Sequence, residues 1–423
     1  MQEEFLHYVW QHKKFDILHS ETVQNEALTI ISVGQPNLNT GPDFFNAKLK
    51  IGEQLWAGNV EIHVKSSDWF VHNHEKDTNY DNVVLHVVWE HDTNVYRKDN
   101  TIIPTLELKR FTDKQLLENY TKLLSNKNKW INCETDFAEV DTFILDNWLE
   151  RLYFERLERK SKTIEELLKA SKQDWEAVLF KLLAKTFGLK VNGEAFFSLA
   201  NSVDFSIVRK VQSKPELLEA LLFGQAGILE RDFQDPYYLG LVNDYQFLKQ
   251  KFQLDNQHVL PLQFFRLRPP NFPTIRLSQL AILYHKHQNL FSKVIAFQSL
   301  DDFYKTFKVS TSTFWETHYT FEKQSKASIK TLTKSFMDLI LINTVLPLKF
   351  CYAKHMGQQI EDQIINIASA MASEGNAIVK AFDELKKVSG SALRSQALIQ
   401  LKTEYCDKNK CLQCAVGNAL IIK

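Results

Sequence analysis

Gly58-Asn59-Val60-Glu61-Ile62-His63-Val64-Lys65 is the stretch on which the fold turns. Side chains alternate along a strand, so Val60, Ile62 and Val64 share one face and Glu61, His63 and Lys65 the other. This period of two predicts a strand whose polar face carries an acid, an imidazole and an ammonium in a row. Upstream, Gly52-Glu53 joins the expected strands Ala47–Ile51 and Leu55–Lys65, which reads as a hairpin. Ala27–Val33 is a further expected strand. After it comes the turn-rich segment Gly34-Gln35-Pro36-Asn37-Leu38-Asn39-Thr40-Gly41-Pro42-Asp43. Downstream, a polar stretch from Ser66 to Asn82 leads into Val83–Glu90, a nearly continuous apolar run of the kind found in a buried central strand. Ile102–Lys109, with Pro104 near its start, reads as the last strand. Glu3–Lys14 reads as a short amphipathic helix, with Phe5, Tyr8 and Val9 at helical spacing.

The pattern changes near residue 125 and is helical from about Asp141. Phe143–Lys160 places Leu145, Leu149, Leu152, Phe154 and Leu157 on roughly one face, with Arg and Glu opposite. Trp175–Phe187, Pro215–Leu229, Tyr237–Phe252, Leu277–His287, Leu300–Phe307 and Lys326–Leu346 continue in that style. Ile360, Ile364, Ile367 and Met371 keep helical spacing, and Ala392–Thr403 forms an expected final helix. The predicted class is therefore α+β. A mixed β-sheet domain occupies 1–125, and the resemblance of its Pro42-Asp43 and hairpin pattern to nucleases implies a restriction-endonuclease-like outline. A larger all-α region follows over 126–405, and a Cys-rich tail, 406–423, packs back toward Cys133.

Composition limits the function classes. The 423 residues are 44% hydrophobic and 24% charged, ample for packed cores. Lys+Arg and Asp+Glu are equal at 51 each, so a uniformly basic nucleic-acid binder is excluded and any such surface is a local patch. Thirty Phe and eight Trp against four Met describe an aromatic core. Met1-Gln2-Glu3-Glu4 is acidic where a secretory signal needs positive charge. The longest apolar run, Phe336 to Phe350, is interrupted by Asp338 and Asn343 and expected to break at Pro347, so no membrane partner is expected. Five cysteines without a signal point to a reducing cytoplasm, where clustered thiols bind metal more often than they pair. Oligomeric state is left open.

Three constellations bear on chemistry. First, Gly41-Pro42-Asp43 precedes a hairpin whose second strand carries Glu61, His63 and Lys65. Pro-Asp, a hairpin, then an acid on the next strand resembles the PD-(D/E)xK nuclease superfamily. That resemblance implies Asp43 and Glu61 as ligands of Mg²⁺ or Mn²⁺, with a basic residue positioning water and Glu3 or Glu4 of the first helix assisting. The residue two after Glu61 is His63, not Lys, and Lys65 lies about 7 Å further along the strand. His63 would then serve as base or ligand. Glu107-Leu108-Lys109 fits the acid-x-Lys pattern but lacks the Pro-Asp. The plain alternative is a turn-forming Asp43 and a solvated strand face. Second, Asp68-Trp69, His72-Asn73-His74, Tyr80-Asp81-Asn82 and His86 are dense in groups that ligate Zn²⁺ or Mn²⁺. Read plainly, they are surface histidines and one hydrogen-bonded core histidine.

Third, Cys406, Cys411 and Cys414 form C-x4-C-x2-C, with Cys133 as the candidate fourth ligand of zinc or a 4Fe–4S cluster. Otherwise they are reduced thiols in a tail. Cys351, between Phe350 and Tyr352, reads as core. The Pro-rich run Phe264–Arg276 offers Arg266, Arg268 and Arg276 as a local basic patch for nucleic acid. Lys323, Lys326, Lys330 and Lys334 would add a helical basic stripe.

Several long phrases occur together: E-E-F-L-H-Y-V-W from Glu3, G-P-D-F-F-N-A-K from Gly41, G-N-V-E-I-H-V-K-S-S-D-W from Gly58, the run from Tyr80 to Val88, L-L-F-G-Q-A-G from Leu221, N-F-P-T-I-R-L-S-Q-L-A from Asn271, and the cysteine tail. With these the chain resembles, over nearly its whole length, a bacterial family known as domain of unknown function 2851, which carries no activity over. The expected function is a metal-dependent nuclease or related phosphodiesterase using Asp43, Glu61, His63 and Lys65. The alternatives are a non-catalytic scaffold, or a zinc-dependent hydrolase on His72, His74 and His86.

Overall fold

A computed structural model describes residues 2–37, 39–124 and 129–423. The expected domain boundary at 125–126 and Leu38 of the turn-rich segment lie outside the described residues. The chain divides into two compact units, Met1–Trp148 with Leu401–Lys423, and Leu149–Gln400. The cysteine tail thus belongs to the sheet unit. The α+β class holds: a mixed sheet comes first and a larger helical region follows.

In the sheet unit, α1 (Glu3–Gln11) leads into a six-stranded sheet: β1 (Leu28–Ser32), β2 (Gln35–Pro36), β3 (Phe44–Ile51), β4 (Gln54–Lys65), β5 (Val83–Glu90) and β6 (Thr105–Glu107). The order is β1-β3-β4-β5-β6, with β2 also on β3. β1, β3 and β4 are antiparallel neighbours, whereas β5 runs parallel to β4 and β6 parallel to β5. The crossover from β4 to β5 includes the short helix α2 (Asp68–Val71). Beyond the sheet lie α3 (Lys114–Leu124) and the first turns of α4 (Thr142–Ala170). The last expected strand is shorter than Ile102–Lys109, because the chain turns at Leu108–Arg110.

The alternation in β4 sorts the faces as expected. Val60 and Ile62 enter the main core with Leu85 and Val87 of β5, Leu106 of β6, and Phe5, Leu6, Val9 and Trp10 of α1. β5 carries one extra residue at Val84, since Asn59 pairs with Val83 but Val60 with Leu85. That bulge sets Glu61 opposite His86, so the polar residue inside the apolar run falls beside the acid.

The helical unit has its own core. An aromatic group of Tyr237, Phe314, Trp315 and Phe321 surrounds Glu219, whose carboxylate is satisfied by Ser278 and Tyr237. Helices Leu189–Asn201, Phe205–Val211, Leu290–Ala296 and Ala377–Leu385 were not expected from periodicity. Two basic expectations change. Lys334 starts a helix, but residues 326–333 are not helical, and Lys330 is buried with its ammonium on the Glu316 carbonyl at 2.9 Å. The expected break at Pro347 does not occur. Lys334–His355 is one continuous helix, with a π-helical turn at Leu341–Val345 just before the proline, a device that absorbs the missing donor. It is long and apolar enough to cross a membrane, yet 78% of its apolar window is buried inside the protein, as in a core helix.

Gly58 marks the tightest β4–β5 approach: a Cβ there would stand 2.5 Å from Val84 Cγ1 and 2.7 Å from the Asn82 carbonyl oxygen. Gly58→Ala is expected to destabilise the sheet unit by about 1–3 kcal/mol. Gly240→Ala, with nothing within 4 Å in helix Pro236–Phe252, should be neutral or gain up to about 1 kcal/mol. Urea denaturation of both variants checks the contrast.

Candidate metal centre

The centre begins at the start of β3. Between Phe44 and Ala47 the strand bulges, with Asn46 in the left-handed region at φ 57°, the kind of irregularity that re-aims a neighbouring side chain. Asp43, just before the bulge, and Glu61, on β4, clasp one another. The Asp43 N–H donates to Glu61 Oε2 at 3.1 Å, and the Ile62 N–H donates to Asp43 Oδ2 at 2.9 Å. The two acids thus sit side by side on adjacent strands. His7 of α1 brings its Nε2 to 3.3 Å from Asp43 Oδ2, and Glu3, one turn earlier on the same helix flank, feels the Asp43 charge.

Imidazoles close the other side. His74 Nε2 lies 3.2 Å and His63 Nε2 3.6 Å from Glu61 Oε1. His63 Nδ1 is 2.8 Å from His86 Nε2, and His63 Nε2 is 3.1 Å from His72 Nδ1. His63, His72 and His74 each offer a ring nitrogen such that all three lie within 4.8 Å of one another. The crossover supplies the wall: Tyr80 stacks on His74 at 3.8 Å, while the Trp69 ring stands edge-on to His74 and His86. Trp69, Val83, Val95 and Ile103 form a small separate core behind them.

Burial sets the charge state. Glu61 is 5% exposed and His63 1%. Removal from water, then the neighbouring Asp43 carboxylate, pushes the Glu61 carboxyl up to about 9, so it holds its proton at neutral pH when no cation is near. Burial, followed by the other imidazoles, pushes His63 down to about 3. Burial drives His86 well below the usual imidazole range as well and also lowers His74. His7 alone moves up: burial opposes its charge, but Asp43 outweighs it. At His63, His74 and His86 burial therefore favours the neutral imidazole, the form in which histidine binds metals.

The donor set fits a divalent ion. His74 Nε2 is buried with no aligned hydrogen-bond partner and faces a carboxylate oxygen of Glu61. Buried nitrogens left in that state are costly unless something else takes the lone pair. Mixed imidazole and carboxylate donors suit Mn²⁺ or Zn²⁺ better than Mg²⁺. For His63 to present Nε2, its proton must sit on Nδ1 and be donated to His86 Nε2. His86 then fixes the tautomer from behind.

Asp43, Glu61 and His63 are thus brought together, with His72 and His74 beside them. Lys65 is exposed at the strand end, where its backbone N–H donates to Asp68. Glu3 rather than Glu4 faces the site; Glu4 is exposed. Asp81 pairs with Lys98 at the surface. Sequence reasoning missed His7. Its signal was available, because four residues after Glu3 on a helix is the same flank. Arg266 and Arg268 are exposed in the helical unit, but Arg276 is not available to phosphate. It is 6% exposed, bonded to Asn271 and Gln279, and set over the Phe336 ring at 3.7 Å. Cys133, Cys406, Cys411 and Cys414 line one cavity in the sheet unit, whereas Cys351 is buried in the helical unit.

Comparison with known proteins gives a family and no activity. No curated protein and no solved structure matches the chain. Residues 3–377 match the family described as "Protein of unknown function (DUF2851)", and the chain belongs to that family.

Proposed function

We propose that the sheet unit is a metal-dependent phosphodiesterase acting on nucleic acid, with Asp43, Glu61, His63, His72 and His74 as the set that holds a manganese-class ion. One observation carries this: two acids on neighbouring strands joined by reciprocal hydrogen bonds, with three imidazole nitrogens gathered against one of them. Pro42-Asp43, the hairpin and Glu61 are the features behind the nuclease resemblance, and they direct the choice to a phosphodiester. The five cysteines, all unpaired, suit a reducing cytoplasm, where we place the protein.

When bound, such an ion polarises a phosphoryl oxygen and lowers the pKa of its water. The chain's own residues do the rest. Glu61 and Asp43 supply negative charge once the proton on Glu61 is displaced. Neutral His63, held by His86, offers Nε2. His7 places its imidazole against Asp43 Oδ2, the oxygen that also accepts from the Ile62 N–H. Trp69 and Tyr80 hold the His74 ring between them by edge-on and stacked contacts. The convergence of the imidazoles also favours a second reading, a zinc hydrolase on the same nitrogens. Preference for ester or peptide substrates would select it.

Purified protein with Mn²⁺ should cleave DNA or RNA, and Asp43→Ala should fall to background. Equal activity in that variant would end the nuclease reading. His86→Ala should weaken Mn²⁺ binding by about 10–100-fold, measured by calorimetry, because it removes the group that orients His63 without touching the ion.

A pH test isolates Glu61. Its folded value, about 9, lies above the ordinary 4.5, so its stabilising contribution is full at low pH and is lost as pH rises between those values. His63 is shifted down, so its own loss comes only as pH falls below 6.5 toward about 3. In metal-free protein above pH 6.5, melting temperature should therefore drop with rising pH. Glu61→Gln should flatten that slope. An unchanged slope would show that Glu61 is ionised in the folded state.

A further inference from the structure

The thiol cluster takes no part in the chemistry above. Cys133 follows α3, Cys406 ends the π-helical turn Leu401–Cys406, Cys411 opens the turn Cys411–Gln413, and Cys414 caps the C-terminal helix Ala415–Ile422. All four line a single cavity with Ile131 and Tyr405. Several donors are aimed at sulfur: Asn132 Nδ2 donates to Cys411 Sγ at 3.3 Å, and the backbone N–H groups of Val416 and Gly417 donate to the Cys414 sulfur. Such donors serve thiolates, since a neutral thiol is a weak acceptor. Gly417 is required here, because a Cβ at that position would meet the Cys411 carbonyl oxygen at 2.1 Å.

Burial, and then the neighbouring sulfurs, push the Cys133 thiol up to about 12. Burial likewise raises Cys414 to about 11, and Cys406 and Cys411 also rise. Four thiolates gathered in this one cavity need a cationic centre among them. Its kind follows from spacing. A single zinc with bonds of about 2.3 Å draws its sulfurs to about 3.8 Å from one another. Among the described residues, the imidazole group is the one whose ligand atoms all fall within 4.8 Å; no three of the cysteine sulfurs do. A wider all-sulfur frame suits a cubane in which each iron takes one cysteine.

We propose that Cys133, Cys406, Cys411 and Cys414 hold a 4Fe–4S cluster that clasps the C-terminal tail onto the sheet unit. The clasp reaches α1: the turn Cys411–Gln413 packs on that helix, and Cys411 shares a core with Phe5 and with Tyr120, which stacks on Phe5 at 4.2 Å.

Full-length protein purified anaerobically from iron-supplemented cells should carry about four iron and about four sulfide per chain, with broad visible absorbance that bleaches on reduction. Cys406→Ser and Cys414→Ser should lose the cluster, and Cys351→Ser should keep it. One zinc per chain that Cys406→Ser and Cys414→Ser lose would overturn the proposal. So would a failure to take up iron and sulfide on anaerobic reconstitution, or full iron content in both tail variants. If the serine variants do not fold, the metal content of the wild-type protein decides alone. Removing the cluster from wild-type protein should also open residues 401–423 to protease, and continued protection of that segment would refute the clasp.

Discussion

Two carboxylates held side by side on adjacent strands constrain everything around them. The Asp43 N–H holds the Glu61 carboxylate and the neighbouring Ile62 N–H holds the Asp43 carboxylate, so neither can turn away to relieve repulsion. Burial removes the water that would otherwise screen Glu61, while Asp43 is half-buried. In the free chain, burial and Asp43 favour the protonated form of Glu61, and burial favours the neutral form of His63 beside it. A scaffold surface has no need of this arrangement, since apolar residues of similar volume would pack there at less electrostatic cost. Groups so perturbed and so convergent mark functional sites.

The sheet supplies the precision. Glu61 and His63 stand on a twelve-residue strand paired on both sides, antiparallel to β3 and parallel to β5. Two bulges, at Asn46 and Val84, set the outcome. One lies beside Asp43, and the other shifts β5 so that His86 faces Glu61 instead of the apolar core. For His63 to turn Nε2 toward a metal, His86 Nε2 must accept from His63 Nδ1, 2.8 Å away.

Much of this was legible in residue order. Alternation in β4 and the apolar run of β5 placed Glu61 and His63 on one face and β5 at the centre of the sheet. Other features were hidden for definable reasons. His7 is three residues from Glu4 and four from Glu3, spacings that both share a helix flank, so its place beside an acid was readable and the choice between Glu3 and Glu4 was not. The bulge at Val84 leaves no mark in a run of valines and leucine, yet it decides which way His86 points. Pro347 reads as a break because sequence shows the missing donor but not the π-helical turn that accommodates it. Arg276 resembles its exposed neighbours Arg266 and Arg268 in sequence. It is buried because Asn271, Gln279 and Phe336 together satisfy its charge and its plane.

Helix α1 links the two clusters of the sheet unit. One flank carries Glu3 and His7 to the carboxylates; the apolar flank, through Phe5, meets Tyr120 and the turn that begins at Cys411. A helix of nine residues is marginal in isolation, so its position depends on what it packs against. The cysteine turn is part of that support. Anything that loosens the thiol cluster therefore acts on the contact between His7 and Asp43, and through Asp43 on the proton that Glu61 holds. The tail is remote in sequence from the acids, yet it helps set the geometry in which they meet.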